Sequence, residues 1–331
     1  MRYHLAMALL APCAMFWGSW VLAQPSKARL VEAYPTKPVR VVVGLAPGGT
    51  TDVHARLVSQ GLSKHLGQHF IVDNRPGAGG VIGFLTVTRA TPDGYTLLAS
   101  SPSVTILPAF QEKAPYDPVK DFVPISLVTK MPFLVVVQPS FPANSMAELI
   151  EFAKSRPGAL NFGLSGIGSA FHLGAVWIIS VTKVEITLVP YKGGAPVLND
   201  LLAGNIDATF ATPVIALAHV KLGKLRALAV TSYERSRVLP ALPTVAESGV
   251  TGFDLTGWHG WLAPKGTPEM VVKRLSAAIA KFVKTPEMAE KLATEGAEPV
   301  GSTPEQFREF IAVEAQRWRK LVKDTGISLK Q

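Results

Sequence analysis

Residues 39–57 read VRVVVGLAPGGTTDVHARL, and this stretch indicates how the chain begins to fold. The run from Val39 to Leu45 is apolar except for Arg40, and it is typical of a strand buried on both faces of a sheet. Apolar residues then recur at helical spacing up to Gly67, which predicts a helix that ends there. These residues are Val53, Leu57, Val58, Leu62 and Leu66. A glycine turn joins the strand to the helix, and such turns direct the N–H groups of a helix start at an anion.

Strand and helix signals continue to alternate beyond this stretch. Residues 70–72 and 95–99 are predicted strands, residues 79–90 form a predicted helix between them, and the turn TPDG closes that helix. The β-α-β-α-β order predicts an α/β fold built on a parallel, doubly wound sheet.

A second series of strands and helices follows. Strands are predicted at 133–138, 160–163, 186–189, 207–211 and 228–231, with helices that begin near Ser169, Ala195 and Pro213. Ser145 and Glu148 predict a capping box at the start of a further helix. The remainder is mainly helical, at 268–283, 286–294 and 304–322. Two α/β lobes of this kind, joined by more than one crossing of the chain, would face each other across a ligand cleft.

Four glycine turns follow predicted strands, two in each series. They are APGGTT (46–51), RPGAGG (75–80), LSGIGSA (164–170) and YKGGAP (191–196). One such turn is commonly a simple connection between elements. Several at strand ends in both lobes favour a binding cleft with anion sites at its helix starts.

Nucleotide and hydrolase motifs are each broken at one position. Thr50 stands where a Walker A loop needs lysine, and Phe171 stands where a dinucleotide loop needs its third glycine. Ile167 replaces the last glycine of a nucleophile elbow. The general device remains, a helix N-terminus that holds an anion.

Catalytic and metal chemistry find little support in the sequence. Ser169 and His172 could share one helical face, with Asp207 as a guessed third member of a triad, but a capping serine and a packed histidine are the commoner arrangement. The histidines show no metal-ligand spacing. Asp52 falls in a first helical turn and is interpreted as structural. Trp258 and Trp261, which flank His259, could line the cleft or fill the core.

The net charge, the N-terminal segment and the cysteine count indicate an exported protein that does not bind nucleic acid. The chain has 331 residues, a net charge of +9 and no dense basic run with interleaved aromatics, which disfavours nucleic acid as a partner. Residues 1–23 have the pattern of a signal peptide that is cleaved after Ala23, although an uncleaved anchor is the rival. Cys13 is the single cysteine, so cleavage would leave no thiol and no disulfide.

Long motifs resemble the Bug-type receptors of tripartite tricarboxylate transporters. They include YPTKPVRVVVGLAPGGTTDVHARL, GQHFIVDNRPGAGGVIG, TPDGYTLL, LNFGLSGIGSAFHL, VPYKGGAPVLNDLLAGNIDATF and LPTVAESGVTGFDLTGWHGWLAPKGTP, in order over nearly the whole mature chain. The resemblance implies a two-lobed periplasmic binding protein of the type II, Venus-flytrap kind. Its lobes would comprise 24–130 plus 250–331 and 131–249, and it would hand a small carboxylate to a membrane permease.

The resemblance also implies which residues bind. The turns at 46–51 and 165–169 would clamp a carboxylate from opposite lobes through N–H groups, hydroxyls and water, without an arginine. The expected ligand-binding residues are Ala46, Pro47, Gly48, Gly49, Thr50, Thr51, Ser101, Ser103, Ser165, Gly166, Gly168, Ser169, His172, Thr209, Phe210 and Thr212. No cofactor, metal or catalytic residue is expected.

Two departures from the family pattern narrow the ligand. Residues 103–108 read SVTILP, more apolar than the Thr-His-Ala-Ile-Asn-Pro of many members, and Ala211 and Thr212 stand where many carry an acid or amide. A missing carboxylate disfavours a ligand ammonium, so a non-amino carboxylic acid with an apolar or weakly polar body is expected. The alternatives to transport are a sensor for a membrane signalling partner and a periplasmic serine hydrolase.

Overall fold

A computed structural model describes residues 34–111, 113–167, 169–191, 193–237 and 239–326, so the predicted signal peptide lies outside the described residues. Its contacts divide the chain into two units, Met1–Tyr34 and Pro35–Gln331. The helices and strands below belong to the second unit. None of the described helices is long and apolar enough to cross a membrane.

Strands and helices alternate along most of the second unit. The strands are β1 (Val39–Val43), β2 (Phe70–Asn74), β3 (Thr96–Ser100), β4 (Phe122–Pro132), β5 (Leu134–Val137), β6 (Asn161–Leu164), β7 (Thr187–Pro190), β8 (Ala208–Ala211), β9 (Arg226–Val230), β10 (Thr256–Pro264) and β11 (Glu298–Pro299). The α-helices are α1 (Thr50–Leu66), α2 (Val81–Thr88), α3 (Ser103–Ile106), α4 (Met146–Ser155), α5 (Ala170–Thr182), α6 (Gly194–Ala203), α7 (Pro213–Lys221), α8 (Glu269–Val283), α9 (Pro286–Thr294) and α10 (Pro304–Thr325).

The strands form two mixed sheets of similar design. The first has the order β11-β4-β10-β3-β1-β2 and the second β7-β6-β8-β5-β9. In the first, β1 lies parallel to β2 and β3, and in the second β6 lies parallel to β7 and β8. Antiparallel strands extend each parallel trio, β10 and β4 in one sheet and β5 and β9 in the other. The α/β class is therefore confirmed, and the parallel, doubly wound arrangement predicted for β1–β3 holds for those strands.

Both faces of each sheet are covered, which explains the unbroken apolar runs in the sequence. In β5, Leu134 and Val136 face a core shared with α6, whereas Val135 and Val137 face one shared with α4 and α5. In the first sheet, Val42 belongs to a core that α2 and α10 close, and α1 and α8 pack against each other and against the sheet.

The chain passes between the two sheets at two places that are tied together. β4 leads directly into β5 at Phe133, and the chain returns between β9 and β10. Buried Thr231 joins these passages, because its hydroxyl accepts the Phe133 N–H at 2.8 Å and donates to the Leu255 carbonyl at 2.6 Å. The division into 24–130 plus 250–331 and 131–249 stays a prediction.

The structure corrects two details of the sequence interpretation. The strand signals do not predict β4, β10 or β11, although β4 and β10 are long strands at the middle of the first sheet. The capping box at Ser145 is half formed: its side chain accepts the Glu148 N–H, but the Glu148 carboxylate accepts from the N–H of Asn144. A complete box lies instead at Thr303 and Gln306.

Candidate ligand-binding site

A cavity of about 930 Å³ lies where loops of both sheets converge. This volume falls within the range of small-molecule pockets. Its lining includes ten of the predicted residues: Gly48, Gly49, Thr50, Thr51, Ser101, Ser103, Ser165, Gly166, Ser169 and Thr212. The structure thus brings three separate predicted segments and Thr212 to one space, and their role in binding stays a prediction.

The first turn is held in shape by the carboxylate of Asp52. It accepts the Gly48 N–H at 2.9 Å and the Nε–H of Arg56 at 3.0 Å, and its other oxygen accepts the side-chain N–H of Asn74 at 3.0 Å. Asn74 also donates to the Leu45 carbonyl. Burial opposes ionisation of Asp52, but these hydrogen bonds and the charge of Arg56 outweigh it and lower its pKa. Asp52 therefore organises the turn, as interpreted from the sequence.

Replacement of Asp52 by asparagine is expected to destabilise the chain by about 2 kcal/mol at pH 7, because an amide cannot accept all three donors. The native pKa lies below the ordinary 3.8, so the carboxylate stabilises the fold above that pH. Its contribution is lost as the pH falls through the native pKa. Urea unfolding of both proteins at pH 7 and pH 3 measures this, and an equal difference at both would contradict it.

The N-terminus of α1 opens on the cavity. Gly49 is the N-cap, with φ −76°, and Thr50 and Thr51 form the first turn. The first N–H groups of an α-helix have no partner within the helix and carry a partial positive charge. The Gly48 N–H is already bonded to Asp52, so the donors left for an anion are those of the helix start itself.

A second helix N-terminus, that of α5, opens on the same cavity. Ser169 is its N-cap and accepts the His172 N–H at 3.2 Å. Gly166 precedes it with φ +139°, a conformation suited to glycine, and lines the cavity with Ser165. Gly168, a predicted site residue, lies outside the described residues. Two helix starts, one after β1 in the first sheet and one after β6 in the second, therefore border one space.

The segment after β3 supplies both polar and apolar surface. The hydroxyls of Ser101 and Ser103 lie 3.1 Å apart, and both residues line the cavity. Ile106 and Leu107 also line it. The SVTILP departure noted in the sequence therefore places an apolar wall beside the polar one.

Five predicted residues do not line the cavity. Ala46 and Pro47 are exposed on the outer part of the turn. Thr209 is fully buried and donates to the Gly163 carbonyl at 2.8 Å, and Phe210 packs against Phe162 in the core. His172 is buried in α5, and burial lowers its pKa.

The guessed catalytic triad is not assembled. Asp207 accepts from the backbone and side-chain N–H groups of Asn161, at the start of β6. Ser169 and His172 follow the opposite end of that strand. The carboxylate therefore does not orient this histidine.

Several lining residues carry no clear sequence signal. His259 and Glu295 border the cavity, as do Met131 and Phe133 at the passage between the sheets. Glu295 is the one carboxylate, and neither lysine nor arginine occurs, among the described lining residues. Both tryptophans that the sequence left undecided are buried, and Trp258 packs its indole on Phe307. Trp258 also lines the cavity, whereas Trp261 does not.

Two of the lining residues, His259 and Glu295, are linked through the buried His54 by a chain of polar contacts. Nε2 of His54 lies 2.7 Å from a Glu295 carboxylate oxygen, and Nδ1 of His54 lies 2.8 Å from Nδ1 of His259. The Thr129 hydroxyl lies 3.1 Å from the same nitrogen of His259. Burial, and then the charge of His54, hold the pKa of His259 well below 6.5.

These features define a class: a two-sheet α/β protein in which two helix N-termini border a cavity. The sequence model of the tripartite tricarboxylate transporter family receptors matches residues 54–327. The chain belongs to this family, as the resemblance predicted.

Relatives along the whole length support the assignment. BugT of Bordetella pertussis is 39% identical over 97% of this chain and 98% of its own. A Rhodopseudomonas palustris protein solved with adipate is 38% identical, with a TM-score of 0.79 over 89% of this chain and 99% of its own. MatC from the same species, solved with bound malate, is 33% identical, with a TM-score of 0.76 over 87% and 100%. The family consists of periplasmic receptors that bind solutes.

Proposed function

We propose that this chain is a periplasmic solute-binding protein that captures a small carboxylic acid and delivers it to the membrane subunits of a tripartite tricarboxylate transporter. The observation that carries the proposal is the pair of helix N-termini, of α1 and α5, at one cavity. Each offers unpaired N–H groups and a positive dipole end to a carboxylate. Solved relatives that hold adipate and malate support the same ligand class.

The remaining wall selects the body of the ligand. It includes Ile106, Leu107, Met131, Phe133, Val214 and Ile215, which are apolar. Thr212 follows β8 on the cavity side, where an acidic residue could pair with a ligand ammonium. The one carboxylate among the described lining residues, that of Glu295, is already paired with His54. The favoured ligand is therefore an acid with an apolar or weakly polar body and no amino group.

A thermal-shift panel tests the ligand class. Adipate, malate and hexanoate are compared with aspartate, glutamate and the neutral diamide of adipic acid. An acid at a hundred times its dissociation constant should stabilise the native state by about 2.7 kcal/mol, whereas the diamide should not. Stabilisation by aspartate or glutamate, with none by the simple acids, would reject the proposal. Permease genes beside this one would favour delivery over sensing.

A further inference from the structure

We infer that His259 presents Nε2 to the bound ligand, and that one proton added to the Glu295–His54–His259 chain converts this nitrogen from a hydrogen-bond acceptor to a donor. A second carboxylate of the ligand would then be bound together with a proton, which makes dicarboxylic acids the matching class. This inference rests on the proposed function and names the far end of the same site.

The position of His259 is fixed by the sheet. It pairs in register with Thr129 of β4, and a β-bulge follows it directly, between His259 and Gly260. Bulges commonly re-aim a side chain next to a functional site. The ring lines the cavity, and its Nδ1 is engaged by His54 and Thr129. Nε2 of His259 has no hydrogen-bond partner among the described residues. It is also not one of their fully buried polar atoms that lack a partner, so it is accessible and opens on the cavity.

The contact between the two Nδ1 atoms allows one proton between them, which links the two rings. With a neutral His54, its Nε2–H donates to Glu295 and its Nδ1 accepts from the Nδ1–H of His259. Nε2 of His259 then carries a lone pair. When a solvent proton binds to Nε2 of His259, the proton between the rings moves to His54, which becomes an imidazolium beside the carboxylate. His259 stays neutral and now donates from Nε2, and the Thr129 hydroxyl suits either state because it can donate or accept.

The surroundings favour the charge on His54. Its ring touches the Glu295 carboxylate at 2.7 Å, whereas the buried His259 has only the uncharged Thr129 beside it on β4. The lowered pKa of His259 agrees with this placement. The other charged groups of α1 nearby, Asp52 and Arg56, pair with each other. Lys130 of β4 lies over the ring of Phe310, and Lys273 of α8 is exposed and pairs with Glu269.

The geometry of Glu295, His54 and His259 does not suit a metal site. Glu295 and His259 contact opposite nitrogens of His54, so the three side chains do not converge on a point. No group of three or more His, Cys, Asp or Glu among the described residues could hold a metal ion. His54 is four residues, about 6 Å, beyond Thr50 along α1. The Glu295–His54–His259 group therefore lies near the N-terminal end of α1, whose first turn lines the cavity.

The ligand-free protein tests the switch directly. Nitrogen NMR of the full chain, with labelled histidine, follows Nε2 of His259 between pH 5 and pH 8. We expect Nε2 to change from unprotonated to protonated as the pH falls, while Nδ1 of the same ring loses its proton. In Glu295→Gln the change should move to lower pH, because the carboxylate that stabilises the imidazolium is gone. A ring that stays in one tautomer, or that becomes doubly protonated, would overturn the inference.

Titration calorimetry tests the coupling to ligand. Adipate and hexanoate are titrated at pH 7 in two buffers of different ionisation enthalpy. When adipate binds, the protein should take up a fraction of one proton. The dissociation constant of adipate should fall by up to about tenfold for each unit by which the pH is lowered. His54→Gln should abolish both effects. His65→Gln, at an exposed position of α1, should retain them.

The outcomes separate the two claims. If neither acid binds, the proposed ligand class fails, and the NMR titration still decides the switch. Adipate binding without proton uptake, or with uptake retained in His54→Gln, would overturn the inference and leave carboxylate binding intact. If His54→Gln does not fold, Glu295→Gln is compared instead: it should reduce the proton uptake at pH 7, and an unchanged uptake would overturn the inference.

Discussion

Gly49→Val is expected to weaken carboxylate binding by up to roughly a hundredfold while the chain stays folded. Gly49 has an ordinary φ of −76°, and a Cβ there would meet only the Ala46 carbonyl oxygen, at 3.8 Å. The valine side chain would therefore fit the fold but stand at the helix start that faces the ligand. Overpacking of this kind costs about 1–3 kcal/mol, up to roughly a hundredfold in affinity. Titration calorimetry measures the loss, and thermal unfolding checks the fold.

Gly49→Ala is the matched control for this prediction. Its single methyl group reaches less far, so binding should weaken by about tenfold or less. Loss of a glycine N-cap should cost either variant about 1 kcal/mol of stability. Normal binding by Gly49→Val would show that the start of α1 does not hold the carboxylate.

Gly44→Ala, in contrast, is expected to act on the fold and to destabilise it by about 3 kcal/mol. A Cβ at Gly44 would lie 2.8 Å from the Gly80 carbonyl oxygen and 3.0 Å from its Cα. The atoms it would strike belong to the backbone, so they cannot swing away as a flexible side chain does. Urea unfolding measures the effect against Gly49→Ala, and equal stability of the two variants would contradict it.

These two glycines show how far one stretch of sequence predicts structure. The pattern of residues 39–67 is local: an apolar run, a turn and a helix that ends where Gly67 adopts the left-handed conformation. Each signal lies within a few residues of the feature it predicts. The strand, however, ends at Val43 and not at Leu45, because the chain at Gly44 turns to pass close to the backbone of Gly80.

The strands that the pattern does not predict are shaped by distant contacts. β10 contains Gly257 and Gly260, which usually weaken a strand signal. Gly260 is required because a Cβ there would lie 2.1 Å from the ring of Phe307, on α10. β4 carries Pro124 and ends at Pro132, so composition alone disfavours a strand. Only the folded sheet shows why these residues fit.

The site divides in the same way. The turns at 46–51 and 165–169 are predictable because glycine followed by a helix start has a local signature. Thr209 and Phe210 fail as lining residues because both faces of β8 are buried, and only Thr212, beyond the end of the strand, lines the cavity. The His54–Glu295 contact joins residues 241 positions apart, and no local pattern predicts such a pair.

A crystal structure of the chain with the acid that stabilises it most in the thermal-shift panel tests the central claim most directly. The account predicts carboxylate oxygens within about 3.2 Å of the N–H groups at the start of α1, on the side that faces Ser169 of α5. An acid bound outside the cavity, or inside it with its carboxylate against the apolar wall of Ile106 and Leu107, would contradict the account.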